Sequence, residues 1–555
     1  MNTPKRRTLL GASIAAVGAG ALGACSGTGS QSPSAPPSAS ASRPRSASGS
    51  GGNGHGGAFV PEGPKGYVNP SDPEVLAAER ERGSGPLRRV RLTADETVLD
   101  LGGRQVRSWA YGDTLPGSTV RVTAGDVLAL TLANRLPAAT TLHSHGLRLR
   151  CDMDGVPGLT QAPIPPGTDF LYRFAVPHPG TYFLHPHSGM QPDRGLYAPL
   201  IVEDPREPLS YDKEWIVVLD DWVDGVDGST PDSVLTLLRG DEEAPMAMGP
   251  QAEAKGTGRR ASAHPHTGAS ASPGGSARIL HDSHSRMLHG VGGHVAHPYH
   301  LVNGRRPQAP SVFRARPGDR IRLRIINAAA DTAFRLALDC HEMTVTHTDG
   351  YPVVHRTTDA LLIGMAERYD VLVTAKDGVF PLVALAEGKK ARALAVLRTA
   401  KKAGALPPPS AHPRELDGRT VPGRRLVPAE SVALRDREPD REMRVKLTGS
   451  MRKFDWAFDH RPYSVEHRHP VREGERVRVS VINATDMWHP VHLHGHTFAL
   501  TGIDGAGARK DTAIVLPHRK LVFDFHADNP GLWMLHCHNL YHSESGMMTV
   551  LGYQK

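Results

Sequence analysis

Three stretches of this chain alternate apolar and polar residues on one shared layout. Leu128, Leu130 and Leu132, then Ile321, Leu323 and Ile325, then Val477, Val479 and Val481 fall at every second position, the period of a strand with one buried face. Each stretch opens on a turn pair, Gly125-Asp126, Gly318-Asp319 or Gly474-Glu475, and closes on Asn134, Asn327 or Asn483, nine positions after the glycine. That repeat predicts one turn-and-strand unit built three times. The polar positions of the later copies are arginines, among them Arg320, Arg322, Arg324, Arg476 and Arg478, and the alternation places them on a wet face.

A second correspondence joins only the outer copies. His185, His187 and Gly195 follow Gly180 at the offsets by which His536, His538 and Gly546 follow Gly531. Where the third copy has Cys537, His542 and Met547, the first has Pro186, Gln191 and Leu196, and the middle copy, ending in Val379 to Arg398, has neither set. Short alternating strands with 58 Gly and 46 Pro predict an all-β chain of sandwiches. The expected domains are residues 86–206, 207–404 and 425–555, with a Pro-rich linker at 405–424. Residues 239–300 read as a long mobile insertion in the second. It carries His264, His266, His281, His284, His289, His294, His297 and His300, and metal capture with Met246, Met248 and Met287 is the alternative to a polar linker.

At 555 residues the chain exceeds one core. Its net charge of +8 comes with arginines interleaved among strand positions, so no nucleic-acid partner is expected. Lys5-Arg6-Arg7 before a short apolar run reads as a twin-arginine export signal over residues 1–24. Leu22-Gly23-Ala24-Cys25 looks like a lipobox, which predicts a lipid anchor at Cys25 on the outer face of the cell membrane, with ordinary secretion as the alternative. Within the lead-in 25–85, residues 26–57 are nearly all Ser, Gly, Pro and Ala, a flexible tether. No second long apolar run is present, so no span is expected in the mature chain. Cys151 and Cys340 fit either one interdomain disulfide or two separate thiols. Oligomeric state is not legible.

The chemistry gathers in four His-x-His pairs: His143/His145, His185/His187, His492/His494 and His536/His538. On a strand such a pair points both rings to one face, and two pairs from each outer domain can converge as eight imidazoles, enough for three metal ions. Cys537, between the last pair, can reach another ion with a His and a weak Met.

With these motifs the chain resembles the multicopper oxidases across roughly residues 86–555, and is similar to three-domain bacterial laccases of the spore-coat type and to periplasmic copper oxidases. The resemblance implies three cupredoxin-like Greek-key β-sandwiches and four copper ions. It implies a type 1 ion on His489, Cys537 and His542 with Met547 axial, and a type 2 ion on His143 and His492. The type 3 pair would take His145, His185 and His538 on one ion and His187, His494 and His536 on the other. One-electron oxidation of a phenolic or aromatic amine donor, its electron given near an exposed edge of His489 or His542, would be coupled to reduction of O2 to water. Asp154 matches an acidic residue near the trinuclear centre and is expected to relay protons. Many relatives carry Glu directly after the last type 1 His, whereas here Ser543 stands there and Glu544 follows. His496, His341, His347 and His178 are expected to be structural. Alternatives are a Cu(I) oxidase for copper tolerance, or a non-catalytic copper-binding or cell-division scaffold on the same fold.

Overall fold

The computed structural model describes residues 65–240, 278–399, 404–502 and 505–555; the export signal, Cys25, the tether, His264, His266, Met246 and Met248 lie outside them. The three alternating stretches are strands Val127–Asn134, Arg320–Asn327 and Arg476–Asn483. Each runs between a parallel and an antiparallel neighbour. Their turns share one chemistry: the carboxylates of Asp126, Asp319 and Glu475 each accept a hydrogen bond of 2.8 Å from the backbone N–H three residues earlier. The preceding glycines sit at φ +95°, +88° and +84°, a left-handed backbone that a Cβ would strain.

The closing asparagines are pins. Each side-chain amide donates to carbonyls across the following loop: Ala138 and Ile164 for Asn134, Thr332 and Ile363 for Asn327, Met487, Val515 and Leu516 for Asn483. Each amide oxygen accepts from the N–H two residues on, the local bond for which Asn is favoured in turns. In the outer copies the pinned loop leads straight into the strands carrying His143 and His489.

Six sheets, of four and four, six and five, and six and five strands, pair as three sandwiches, the all-β fold expected. Trp222, Trp456, Trp488 and Trp533 are fully buried in their cores. Among the described residues no helix is long and apolar enough to cross a membrane.

Two expectations are corrected, and the open question of Cys151 and Cys340 is decided for two separate thiols. The arginine face is dry in the second sandwich: Arg322 and Arg324 are each 2% exposed. Arg322 donates to Asp370 at 2.6 Å and to Glu207, and Arg324 donates to Glu214 at 2.6 Å, to Thr181 of the first sandwich at 3.0 Å and to Asp370 at 3.2 Å. Arg476 is buried as well, while Arg478 is half-buried. Alternation reveals a face but not the carboxylates that come to lie on it. Cys151 and Cys340 are both free, the first buried and the second exposed. Cys151 Sγ donates to the Leu532 carbonyl at 3.3 Å, and a Cβ on Gly531 would come within 2.6 Å of that sulfur, so the first and third sandwiches meet there by close packing instead of a bridge. Finally, residues 231–239 form a helix and residues from Arg278 onward pack against the core, with His294, His297 and His300 buried. The carboxylate of Asp331 holds this segment by accepting from the N–H groups of His294 and Val295 at 2.8 and 2.9 Å.

Candidate metal centre

Strand period places the donors. His143–His145 pairs antiparallel with Gly180–His185, setting His143 opposite His185, and His489–Leu493 pairs with Leu532–Cys537, setting His492 opposite His536. Side chains alternate between faces, so His492 and His536 turn toward the first sandwich while His489 and Cys537 turn into the third. The thiol and the imidazoles beside it in sequence are thereby aimed in opposite directions.

On the inner face, Cys537 Sγ lies 3.5 Å from His489 Nδ1 and 3.7 Å from His542 Nδ1, which are 3.1 Å from each other. The other ring nitrogens are held elsewhere: His489 Nε2 by Thr485 Oγ1 at 2.9 Å and His542 Nε2 by His294 Nε2 at 2.8 Å. Protons on those Nε2 atoms leave both Nδ1 lone pairs facing the sulfur. Met547 is fully buried beside them, its N–H bonded to the His542 carbonyl at 3.1 Å. Neither ring has the exposed edge that the sequence suggested. His489 and His542 are both 0% exposed, because His294 from the folded-back segment caps the one edge and Trp456 packs against both rings, at 5.3 and 4.5 Å between centroids.

On the outer face eight imidazoles converge in three sets. His145, His185 and His538 have ring centroids 5.0 to 5.6 Å apart; His187, His494 and His536 lie 5.0 to 5.1 Å apart; His143 and His492 are 5.9 Å apart. Backbone carbonyls select the free nitrogen. Nδ1 of His143, His185, His492 and His536 donates to the carbonyls of Asp154, Pro186, Asp511 and Cys537 at 2.8 to 2.9 Å, leaving each Nε2 as a donor atom toward the centre. Nε2 of His143, His492 and His538 is buried with no hydrogen-bond partner, a costly state unless a metal uses the lone pair. Burial, reinforced by neighbouring rings, holds His185, His494, His536 and His538 well below the usual imidazole range, so these four rings are neutral and free to offer a lone pair.

Carboxylates brace the rings from behind. Asp154 is fully buried; its Oδ2 accepts from His494 Nδ1 at 2.8 Å and its Oδ1 lies 3.2 Å from His143 Nδ1. Asp511, which sequence reasoning did not single out, accepts from His145 Nε2 at 3.1 Å and is gripped by Arg368 of the middle sandwich at 2.7 and 2.5 Å. No motif marks either residue; only the fold brings Arg368 there. No spacing in the sequence ties His294 to His542, 248 positions away. His496 has both nitrogens engaged, by the His494 carbonyl at 3.0 Å and Tyr553 Oη at 2.6 Å. A cavity of about 30 Å³ runs from Ser543 and Glu544 to His185, His187, His536 and His538, and burial pushes the Glu544 carboxyl up to about 7.

Comparison with known proteins agrees with this chemistry. Sequence profiles described as multicopper oxidase match residues 93–207, 281–402 and 436–555. The chain is 48% identical to multicopper oxidase MmcO of Mycobacterium tuberculosis over 86% of this chain and 90% of the relative. It is 28% identical to copper resistance protein A of Escherichia coli, over 82% and 91% of the two chains. Among solved structures, a laccase from Botrytis aclada superposes with a TM-score of 0.66 at 25% identity, covering 84% of this chain and 88% of that one. A thiol set and an eight-imidazole set joined back to back, on three sandwiches that each match a profile of the same name, make this chain a member of the multicopper oxidase family, oxidoreductases that use copper and dioxygen.

Proposed function

We propose that the chain holds four copper ions and couples one-electron oxidation of phenolic or aromatic amine donors to the reduction of dioxygen to water. The observation that carries this reading is Cys537: its sulfur faces two imidazole Nδ1 atoms, while the residues on either side of it, His536 and His538, belong to the other set. His489, Cys537 and His542, with the Met547 thioether, would hold the type 1 ion, and His143 with His492 the type 2 ion. His145, His185 and His538 would hold one type 3 ion, and His187, His494 and His536 the other. Copper, when bound, supplies one-electron storage at each site, so that four single electrons can meet one dioxygen. The chain supplies the rest. Cys537 and its peptide links to His536 and His538 are a short covalent path between the sets. Asp154 fixes the rings of His143 and His494, and its Oδ1, buried without a hydrogen-bond partner, is placed to hold a proton for the reaction.

A second reading is oxidation of Cu(I). It is favoured by one feature, the covering of both type 1 rings, which denies an organic donor direct contact with either imidazole edge. Likeness to copper resistance protein A of Escherichia coli points the same way. A survey of phenols, aromatic amines and cuprous ion as donors, with dioxygen uptake as readout, separates the two.

The decisive test is a visible and electron spin resonance spectrum of the copper-loaded protein with a metal count. An intense blue thiolate band is expected, and Cys537→Ser should abolish the band and turnover while sparing much of the other copper. A colourless loaded protein would refute the assignment. For location, we propose export through the residue 1–24 signal and lipid attachment at Cys25; a Cys25→Ser chain that stays with the membrane as the parent does would refute it.

A further inference from the structure

Among the described residues, the buried histidine nitrogens without a hydrogen-bond partner fall in two groups. Nε2 of His143, His492 and His538 belongs to the eight-imidazole set. All the others lie in the run His294 to His300: Nδ1 of His294, both nitrogens of His297, and Nε2 of His300. Since buried polar atoms are almost always partnered, the nitrogens of His297 and His300 call for a ligand as the first group does; His294, whose Nε2 accepts from His542, carries its proton on Nδ1 and offers no lone pair there.

His297 and His300 share one place. His300, on strand Tyr299–Val302, stands directly opposite Asp221 in the ladder with Lys213–Trp222, so their side chains leave the sheet on the same face. His297 Nδ1 comes to 3.3 Å from Asp221 Oδ2 without hydrogen-bond geometry, and the two rings are 6.2 Å apart between centroids. His297 has a fully buried side chain, and His300 is 4% exposed.

The charges around them do not balance. Asp221 accepts from Ala330 N, Asp331 N and Thr332 Oγ1 at 2.8, 3.1 and 2.5 Å, the environment of an ionised carboxylate. Asp331 is bonded at 2.7 Å to Lys389, whose ammonium also donates to Thr332 Oγ1 and to the Val295 carbonyl. One ammonium faces two carboxylates. Burial drives His297 down to about 4 and His300 down to about 3, so neither ring offsets the remaining negative charge at neutral pH. Asp220, on the neighbouring position of the strand, is turned to Tyr197 instead, at 2.6 Å.

We propose that His297 and His300, with the Asp221 carboxylate beside them, bind a further copper ion, distinct from the four assigned above. A cation there gives the imidazole lone pairs a partner, and as Cu(I) it cancels the surplus charge. Imidazole with one carboxylate suits copper or zinc; the single surplus charge favours the monovalent ion.

The test uses the full chain loaded under reducing conditions and counted for metal, beside His297→Gln, His300→Gln and the double variant. Loss of one copper ion from the variants, with the blue band and the type 2 spin resonance signal unchanged, is the expected result. Titration with Cu(I) against a cuprous chelator should show the same single loss. Anomalous diffraction from wild-type crystals at the copper edge gives a second reading that needs no variant, and a peak between the two rings is expected. Equal copper in wild type and variants, or no peak in loaded crystals, overturns the site in favour of an imidazolium–carboxylate pair between His297 and Asp221. A peak at the zinc edge alone overturns the copper assignment. Because the count is independent of the blue band, a colourless protein would sink the oxidase reading without deciding this one.

Discussion

At the scale of the residue, the partner of His542 sets what the proposed type 1 ligands can do. His542 Nε2 and His294 Nε2 are 2.8 Å apart, so with Nδ1 of His542 turned to the sulfur its Nε2–H donates to His294. An imidazole that gives away N–H density is a stronger donor on its other side, which favours the oxidised metal. His294→Leu is therefore expected to raise the potential of the blue centre in a redox titration, whereas His294→Gln, whose amide oxygen still accepts, is expected to leave it near the parent value; equal potentials for Leu and the parent would contradict the role. Met547→Leu should also raise the potential, by removing the thioether proposed as a weak donor to the same ion. The convergence of these side chains was legible in the sequence because metal chemistry demands particular residues at strand spacing, and the fold brings them together. His294 was not, since it lies 248 positions from its partner and only the chain's return over the third sandwich joins them.

At the scale of the element, the strand Arg320–Asn327 shows how alternation is read correctly and interpreted wrongly. Period two places Arg322 and Arg324 on one face, as observed, but that face is closed by Asp370, Glu207 and Glu214 and by Thr181 of the first sandwich. Burial alone would raise the Asp370 carboxyl; Arg322 and Arg324 overcome it and hold it at about 2, against an ordinary 3.8. A depressed carboxylate contributes stability above the ordinary value and loses it as pH falls through the depressed one, here from about pH 4 to 2. That shift corresponds to about 2 kcal/mol. Asp370→Asn in the copper-free protein should lower stability by at least that amount at pH 7, since the arginines are left underpaired. Urea denaturation should show the gap narrowing below pH 4, and a gap independent of pH would count against the ion pair as its source. The turn glycines and pinning asparagines, in contrast, were visible as a repeat because each acts on its own few neighbours.

At the scale of the whole molecule, the middle sandwich carries none of the proposed ligands to the four ions yet reaches them. Its Arg368 is fully buried and donates to Asp511 of the third sandwich at 2.7 and 2.5 Å and to the Thr181 carbonyl of the first at 3.1 Å. Asp511 in turn accepts from His145 Nε2 at 3.1 Å through its carboxylate, and from His492 Nδ1 at 2.9 Å through its carbonyl. One guanidinium thus ties all three sandwiches at the seam where the outer two share their imidazoles. The Cys537 set lies within the third sandwich, and its contact with the middle one, His542 to His294, does not pass through Arg368. Arg368→Gln should therefore act selectively. It leaves a buried carboxylate short of its partner, at about 3 to 5 kcal/mol, and displaces the rings of His145 and His492, for which a shift of an ångström costs ~10²-fold in turnover. The expected outcome is a protein that keeps its blue band, loses copper from the eight-imidazole set on counting, and takes up dioxygen slowly. Arg368→Lys should rescue little, because an ammonium cannot make the two parallel bonds that a planar fork makes to Asp511. If the blue band and the remaining copper fall together in Arg368→Gln, the seam and the third sandwich are a single cooperative unit, and the middle sandwich does not serve as a separate brace.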